Sequence, residues 1–111
     1  MTHYKEMAQG VFGFMGTMAK EIPATTQGFI AMHEAAGKNG AISAKHKELM
    51  SLGIAICIRC EGCIACHVQG SLAAGATKEE ILETIGVALV MGGGPSVAYG
   101  EKAYKAMEEM M

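Results

Sequence analysis

The sequence has no tryptophan and few other aromatic residues, which make up 5% of its 111 residues. Half of the residues are nonetheless hydrophobic, so the apolar content is mainly aliphatic, with an unusual count of 10 methionines. Such residues favour helices. Because a small domain of this composition has little large aromatic area to bury, we expect other subunits to cover part of its apolar surface in a homo-oligomer.

The sequence also lacks a basic stripe and a long apolar run. Lysine and arginine together number 9, against 11 acidic residues, which argues against nucleic acid as a partner because a phosphate backbone needs clustered cations. The longest apolar stretch, residues 52–58, is far shorter than the ~20 residues that span a bilayer. The N-terminus lacks the pattern of a signal peptide. We therefore expect no membrane partner and a cytoplasmic protein.

The length of the chain predicts a single domain over residues 1–111. No alternating strand pattern and no internal repeat is present, so the spacing of apolar residues and the glycine and proline breaks predict an all-α fold of about six helices. Thr77 with Glu80 three residues later forms the clearest helix start, a capping box. We predict helices over residues 4–20, 24–36, 44–58, 61–74, 78–91 and 95–110.

All four cysteines lie within ten residues, from Cys57 to Cys66. A stabilising disulfide framework would spread its bridges along the chain, and cytosolic disulfides are usually catalytic or redox-sensing, so the cluster indicates local thiol chemistry. The C-x-x-C unit, Cys60 to Cys63, falls where a new helix begins. Unpaired N–H groups and the helix dipole favour a thiolate there, and Arg59 acts in the same direction.

Two further residues complete a candidate redox site. Cysteines three apart in a first helical turn have Cα atoms about 5 to 6 Å apart, close enough for a reversible disulfide. His67 follows Cys63 by one helical turn and can exchange a proton with its sulfur. A hairpin near Arg59 would return Glu48 to the side of His67, where a carboxylate orients the imidazole. Cys63, which has a histidine one helical turn away, is then a better candidate for the nucleophile than Cys60.

Other interpretations of the cysteines remain open at this point. The C-x-x-C unit also suits buried packing or half of a zinc site. The C-x2-C-x2-C-x2-C spacing is close to that of bacterial iron–sulfur proteins, with Cys57, Cys60, Cys63 and Cys66 as alternative ligands, although four cysteines at these steps on one helix could not converge. For Cys57 and Cys66 individually, packing is the favoured role.

The remaining histidines and methionines receive structural interpretations. His33 and His46 have no partner at metal-ligand spacing, so we interpret them as ordinary surface or core histidines. The methionines are most simply core filling, and the first helix is expected to carry Met7, Val11, Phe14, Met15 and Met18 on one apolar stripe.

The spacing Glu48, eleven residues, Cys60-x-x-Cys63, three residues, His67 resembles the core motif of the alkylhydroperoxidase D-like family, within the carboxymuconolactone decarboxylase superfamily. The similarity continues through residues 74–81 and 90–93. The resemblance implies an all-helical fold assembled as trimers or hexamers, with the active site close to a subunit interface. It also implies that Cys63 attacks a peroxide, that Cys60 resolves the sulfenic acid into a disulfide, and that Glu48 and His67 relay protons.

These observations predict an enzyme, a thiol-dependent peroxidase or disulfide reductase in antioxidant defence, with a small hydroperoxide or disulfide as substrate. Gly62 stands where the better-known hydroperoxidases carry a second histidine, which keeps the reductase role open. No cofactor-binding motif is present, so we expect no cofactor and a separate thiol or reductase protein as electron donor. The alternatives are an iron–sulfur-containing disulfide reductase or electron-transfer protein and, less favoured, a carboxymuconolactone-type decarboxylase, for which Arg59 is the one guanidinium clamp.

Overall fold

The computed structural model describes residues 3–111, which form six α-helices and no strand. This confirms the predicted all-α class, and each predicted helix boundary lies within a residue of the observed one. No helix in this range has both the length and the apolar character that crossing a membrane requires. The helices are α1 (Tyr4–Glu21), α2 (Pro23–Gly37), α3 (Ala44–Cys57), α4 (Glu61–Ala73), α5 (Lys78–Gly92) and α6 (Gly94–Met110).

Side-chain caps explain where two of these helices begin. The Ser43 hydroxyl accepts a hydrogen bond from the His46 N–H at 3.2 Å and opens α3. Thr77 and Glu80 form the predicted capping box of α5, in which the Glu80 N–H donates to the Thr77 hydroxyl and the Thr77 N–H donates to the Glu80 carboxylate. The capping box was predictable from the sequence because its two residues are only three positions apart.

The turns between α3 and α6 use the left-handed region of backbone space. Arg59, with φ of 61°, reverses the chain between α3 and α4, whereas Gly75 and Gly93 provide the later turns with φ of 93° and 69°. In the loop after α2, Gly37 and Gly40 do not adopt positive φ, although glycine allows it. The Asn39 side chain closes that loop instead, by accepting a hydrogen bond from the Ala44 N–H at 2.7 Å.

The core is centred on α4, which packs against α1, α3 and α6. Its small and branched residues form one buried face, and alanines on the neighbouring helices allow close approach. Glu109 near the end of α6 accepts hydrogen bonds from the N–H groups of Tyr4 and Lys5, which fastens α6 to the start of α1. The large side chains that are fully buried are Leu52, Ile56, Ile64, Val68, Ile81 and Met107.

Two predictions about burial are confirmed only in part. Of the expected α1 stripe, Met7 packs against the core, whereas Val11 and Phe14 are 40% and 59% exposed. The residues that α1 buries fully are Tyr4 and Ala8. Among the methionines, Met107 is buried, but four others are more than half exposed, so core filling does not describe them. These four are Met32, Met50, Met91 and Met111. Hydrophobic spacing identifies an apolar helix face, but it does not show whether the same chain covers that face.

Candidate dithiol site

Cys60 and Cys63 are joined by a disulfide, with Cα atoms 5.2 Å apart. This separation agrees with the expectation for two cysteines in a first helical turn. Cys60 is the N-cap of α4, and its sulfur accepts a hydrogen bond from the Cys63 N–H at 3.2 Å. The backbone donor at the helix start therefore acts on the Cys60 sulfur, while Cys63 lies inside the first turn, one turn before His67.

Glu48 and His67 meet across the α3–α4 hairpin. The His67 Nδ1 and the Glu48 Oε1 are 2.8 Å apart, and the two side chains are 23% and 29% exposed. The left-handed turn at Arg59 produces this meeting, as the sequence predicted. With Nδ1 protonated and donating to the carboxylate, Nε2 is left as the nitrogen that can accept or return a proton. The arrangement is that of an imidazole oriented by a carboxylate.

Gly70 allows Glu48 to reach His67, and it is not among the site residues predicted from the sequence. A Cβ at position 70 would lie 2.6 to 2.9 Å from the carboxyl atoms of Glu48. No real Cβ contact is so short, so any side chain at this position would force the carboxylate to move. The available signal was a glycine in the middle of a helix, with no turn to form, one turn after His67.

Cys66 is a free, half-buried cysteine near the Glu48 carboxylate. Burial raises the pKa of its thiol above the ordinary value, and the nearby Glu48 carboxylate raises that pKa further. Both effects disfavour the thiolate, which is the attacking form of a cysteine. The environment of Cys66 therefore suits a resting thiol rather than a nucleophile.

Cys57 lies apart from the other cysteines, among residues of α5 and α6. Its sulfur is 3.7 Å from the Ala88 carbonyl oxygen and 3.8 Å from the Ser96 hydroxyl. A Cβ at Gly92 would lie 3.3 Å from the same sulfur, which is a close packing contact. The neighbours of the Cys57 sulfur are thus residues of α5 and α6.

The ligand set of the iron–sulfur alternative is therefore not assembled. Across residues 3–111, no group of three or more histidine, cysteine or acidic side chains is arranged to hold a metal ion. The donors that such a cluster would require, with Cys57 among them, face different neighbours.

A polar cleft adjoins the Glu48–His67 pair. It has a volume of about 130 Å³, lies between α2 and α3, and is also lined by His33, Lys47 and Ser51. At about 30 Å³ per water molecule, this is room for a few waters. The Lys47 ammonium donates a hydrogen bond to the Lys38 carbonyl at 2.7 Å, which ties the end of α2 to α3. The cleft therefore borders the Glu48–His67 pair with space that water can occupy.

The fold and the arrangement of these side chains define an all-α protein of the alkylhydroperoxidase D-like class. Residues 23–106 match the model of the Carboxymuconolactone decarboxylase family, so the chain belongs to that family. An uncharacterised protein of Cupriavidus necator is 32% identical over 88 residues, covering 79% of this chain and 78% of the relative. An uncharacterised protein encoded in the cox locus of Paracoccus denitrificans is 34% identical over 82 residues, covering 74% of each chain.

Two solved structures are similar over nearly the whole chain. The apo form of a carboxymuconolactone decarboxylase family protein from Legionella pneumophila superposes with a TM-score of 0.93 at 38% identity, covering 96% of both chains. A family protein from Thermotoga maritima, described as a candidate participant in the antioxidative response, superposes with a TM-score of 0.84 at 28% identity. That match covers 93% of this chain and 88% of the other.

Proposed function

We propose that this protein is a thiol oxidoreductase that reduces a small hydroperoxide or disulfide in antioxidant defence. Cys60 and Cys63 form its dithiol/disulfide couple, and Glu48 and His67 serve as its proton relay. The observation that carries the proposal is the Cys60–Cys63 bridge at the start of α4, one helical turn before an imidazole that Glu48 orients. The possible antioxidative role of the Thermotoga relative supports the same class of chemistry.

For a hydroperoxide ROOH, the Cys63 thiolate attacks the terminal oxygen and the O–O bond breaks. The departing alkoxide takes a proton that His67 can supply, which gives ROH and a sulfenic acid on Cys63. The Cys60 thiol then attacks the Cys63 sulfur, releasing water and forming the disulfide. Two electrons have passed from the dithiol to the peroxide. A separate thiol or reductase protein returns them by thiol–disulfide exchange.

For a disulfide RSSR, the same dithiol supplies two electrons and two protons and releases two RSH molecules. A disulfide substrate is part of the proposal because Gly62 provides no imidazole next to Cys63. A Cβ at position 62 would lie 3.4 Å from Val11 of α1, so α1 closes this side of the dithiol. His67 is therefore the imidazole assigned to proton transfer in either reaction.

The proposed partners follow from the same chemistry. A dithiol that must be regenerated after each turnover suits a reducing compartment, and we propose a cytoplasmic location. We also propose a homo-oligomer, because large apolar side chains on α1, α2, α3 and α5 are more than half exposed. Homo-oligomers with closed symmetry are the commonest way in which soluble chains cover such surfaces.

The test is anaerobic thiol counting on the fully reduced protein, before and after one equivalent of an organic hydroperoxide. The reduced chain has 4 thiols, and we expect two to disappear while the protein stays colourless. Peptide mapping should place the new disulfide between Cys60 and Cys63. A variant carrying Cys57→Ser and Cys66→Ser is the matched control and should lose both of its remaining thiols. The proposal would be contradicted if none of the four thiols reacted with the hydroperoxide or with a small disulfide.

A further inference from the structure

Arg59 occupies a backbone position next to the dithiol that suits glycine. The turn that ends α3 is a Schellman motif, in which the Arg59 N–H donates to the Ile56 carbonyl at 3.2 Å. The Cys60 N–H donates to the Ala55 carbonyl at 3.1 Å and completes the motif. Arg59 is its left-handed residue, with φ of 61°, where a Cβ is strained. The turn alone therefore gives no reason for an arginine at this position.

The residue at position 59 is also an exception within this chain. The other positions of residues 3–111 that have positive φ are Gly75 and Gly93. Position 59 has the one arginine of the sequence, in which the other basic residues besides histidine are lysines. A strained backbone position that holds a large charged residue indicates a function for its side chain.

The charge of Arg59 is available to a ligand. Arg59 is exposed, and within residues 3–111 no carboxylate lies at ion-pair distance from its guanidinium. Glu61, on the other side of Cys60 in the sequence, pairs with Lys102 of α6 at 3.0 Å. The unpaired charge beside Cys60 is therefore positive, in a chain whose net charge is −2. An anion that approaches the dithiol meets a complementary charge there.

A guanidinium at this position matches a carboxylate. Its planar fork donates two parallel hydrogen bonds to one carboxylate, which a lysine ammonium does not do. The Cα atoms of Arg59 and Cys60 are one trans peptide apart, about 3.8 Å. A carboxylate that lies a few bonds from a sulfur reacting with the couple is therefore within reach. A cation beside Cys60 also favours its thiolate, but that effect is the same for charged and uncharged substrates.

We propose that Arg59 binds a carboxylate of the small disulfide that the Cys60–Cys63 couple reduces. The inference rests on the proposed function and names its substrate class, a disulfide with a carboxylate near its sulfur atoms. The Cys63 thiolate attacks one sulfur of R–S–S–R and displaces RS⁻, which takes a proton to give RSH. The Cys60 thiolate then attacks the Cys63 sulfur of the mixed disulfide, and the second RS⁻ leaves with the proton that the Cys60 thiol gave up. Two electrons pass from the dithiol to the substrate, while Arg59 holds the carboxylate of the half that is bonded to Cys63.

The test compares two disulfide reagents that differ in charge. Dithiobis(nitrobenzoate) carries two carboxylates, dithiodipyridine is uncharged at neutral pH, and each releases a coloured product when a thiolate attacks it. Stopped-flow rates are measured on reduced protein that carries Cys57→Ser and Cys66→Ser, so that only the Cys60–Cys63 couple reacts. The ratio of the anionic rate to the neutral rate is the charge selectivity. A change in cysteine pKa alters both rates alike and cancels in this ratio.

Arg59→Gly should lower the charge selectivity about fivefold, because the carboxylate loses its partner. The substitution places the usual residue in the turn, so the thermal midpoint should equal or exceed that of the parent protein. Arg59→Asn, which also tolerates the left-handed conformation, replaces it if the glycine variant unfolds. Arg59→Lys keeps the charge without the fork and should give an intermediate ratio.

Lys78→Gln is the matched control, because it removes the same charge from an exposed residue at the start of α5. The Lys45–Glu80 pair places the start of α5 beside the start of α3, at the opposite end of α3 from Arg59. Lys78→Gln should keep the parent ratio. An unchanged ratio in Arg59→Gly, or an equal fall in Lys78→Gln, would overturn the assignment of Arg59 and leave the proposed function intact. A couple that reacts with neither reagent would overturn both.

Discussion

The carboxylate of Glu48 occupies the space that a side chain at Gly70 would fill. The two residues come from different helices, and Glu48 crosses α4 at the glycine to place Oε1 at 2.8 Å from the His67 imidazole. The contact between Glu48 and His67, and with it the proposed relay, therefore depends on a hydrogen atom at position 70 as well as on the two polar side chains. This dependence can be tested without removing any group that takes part in proton transfer.

Gly70→Ala is expected to impair redox turnover while leaving the fold intact. The obstructed atoms are the end of a flexible side chain, so the carboxylate can swing aside at little cost, and alanine in a helix interior is about 0.5 to 1 kcal/mol more favourable than glycine. With the carboxylate displaced, His67 loses its orienting partner, and we expect the rate of disulfide formation to fall about tenfold. Stopped-flow mixing of reduced protein with hydroperoxide measures that rate.

Gly86→Ala is the matched control for this experiment. Gly86 lies within α5, and a Cβ there meets nothing within 4 Å. The substitution should therefore match Gly70→Ala in thermal stability and leave turnover unchanged. Equal turnover in the two variants would show that the approach of Glu48 at Gly70 has no functional role.

The sequence predicted the features that depend on local spacing. These features are the helix start at Thr77, the C-x-x-C unit at another helix start, and His67 one turn later, and all follow from intervals of three or four residues. The contact between Glu48 and His67 is a longer-range prediction. It is confirmed because a single tight turn joins the two packed helices α3 and α4. These predictions need no knowledge of how distant parts of the chain pack.

The features that the sequence did not predict depend on tertiary contacts or on other chains. The role of Gly70 depends on a tertiary contact, because Glu48 of α3 passes α4 at this glycine. Phe14 and Met32 have the apolar character of core residues, yet they are 59% and 64% exposed. Periodicity reports that a helix face is apolar, and the same pattern results whether the cover comes from its own chain or from a neighbour.

Substitution of each cysteine of the bridge should give a different product after reaction with peroxide. Cys63→Ser removes the proposed nucleophile, and we expect peroxide consumption to fall by about 10²-fold or more. Cys60→Ser retains the nucleophile without its resolving partner, so one equivalent of peroxide should leave a sulfenic acid on Cys63 that dimedone traps. Mass spectrometry of the labelled peptide distinguishes the two variants. Cys57→Ser, beside Ala88, serves as the control and should consume peroxide normally.

The reactivity of Cys66 should report the charge of Glu48. Burial and the Glu48 carboxylate raise the pKa of the Cys66 thiol, so Glu48→Gln should lower that pKa toward its ordinary value and speed alkylation at mildly alkaline pH. Iodoacetamide labelling of the oxidised protein measures this effect at the peptide that contains Cys66, because the bridge protects Cys60 and Cys63 and the other free thiol, Cys57, lies in a separate tryptic peptide. The control is Glu61→Gln, whose carboxylate pairs with Lys102. An identical pH profile in all three proteins would refute the electrostatic assignment.

The contact of Glu109 with the start of α1 should make part of the stability depend on pH. Hydrogen bonds from the Lys5 and Tyr4 N–H groups lower the pKa of this carboxyl in the folded protein. A carboxyl with a lowered folded pKa stabilises the fold above its unfolded pKa, about 4.3, and loses that contribution as the pH falls through the folded value. Glu109→Gln should therefore lower the thermal midpoint at pH 7 and change it much less at pH 3. Glu108→Gln, at an exposed neighbour on the same helix, should show no such pH dependence. An equal loss from Glu109→Gln at both pH values would mean that the amide contacts stabilise α1 without the carboxylate charge.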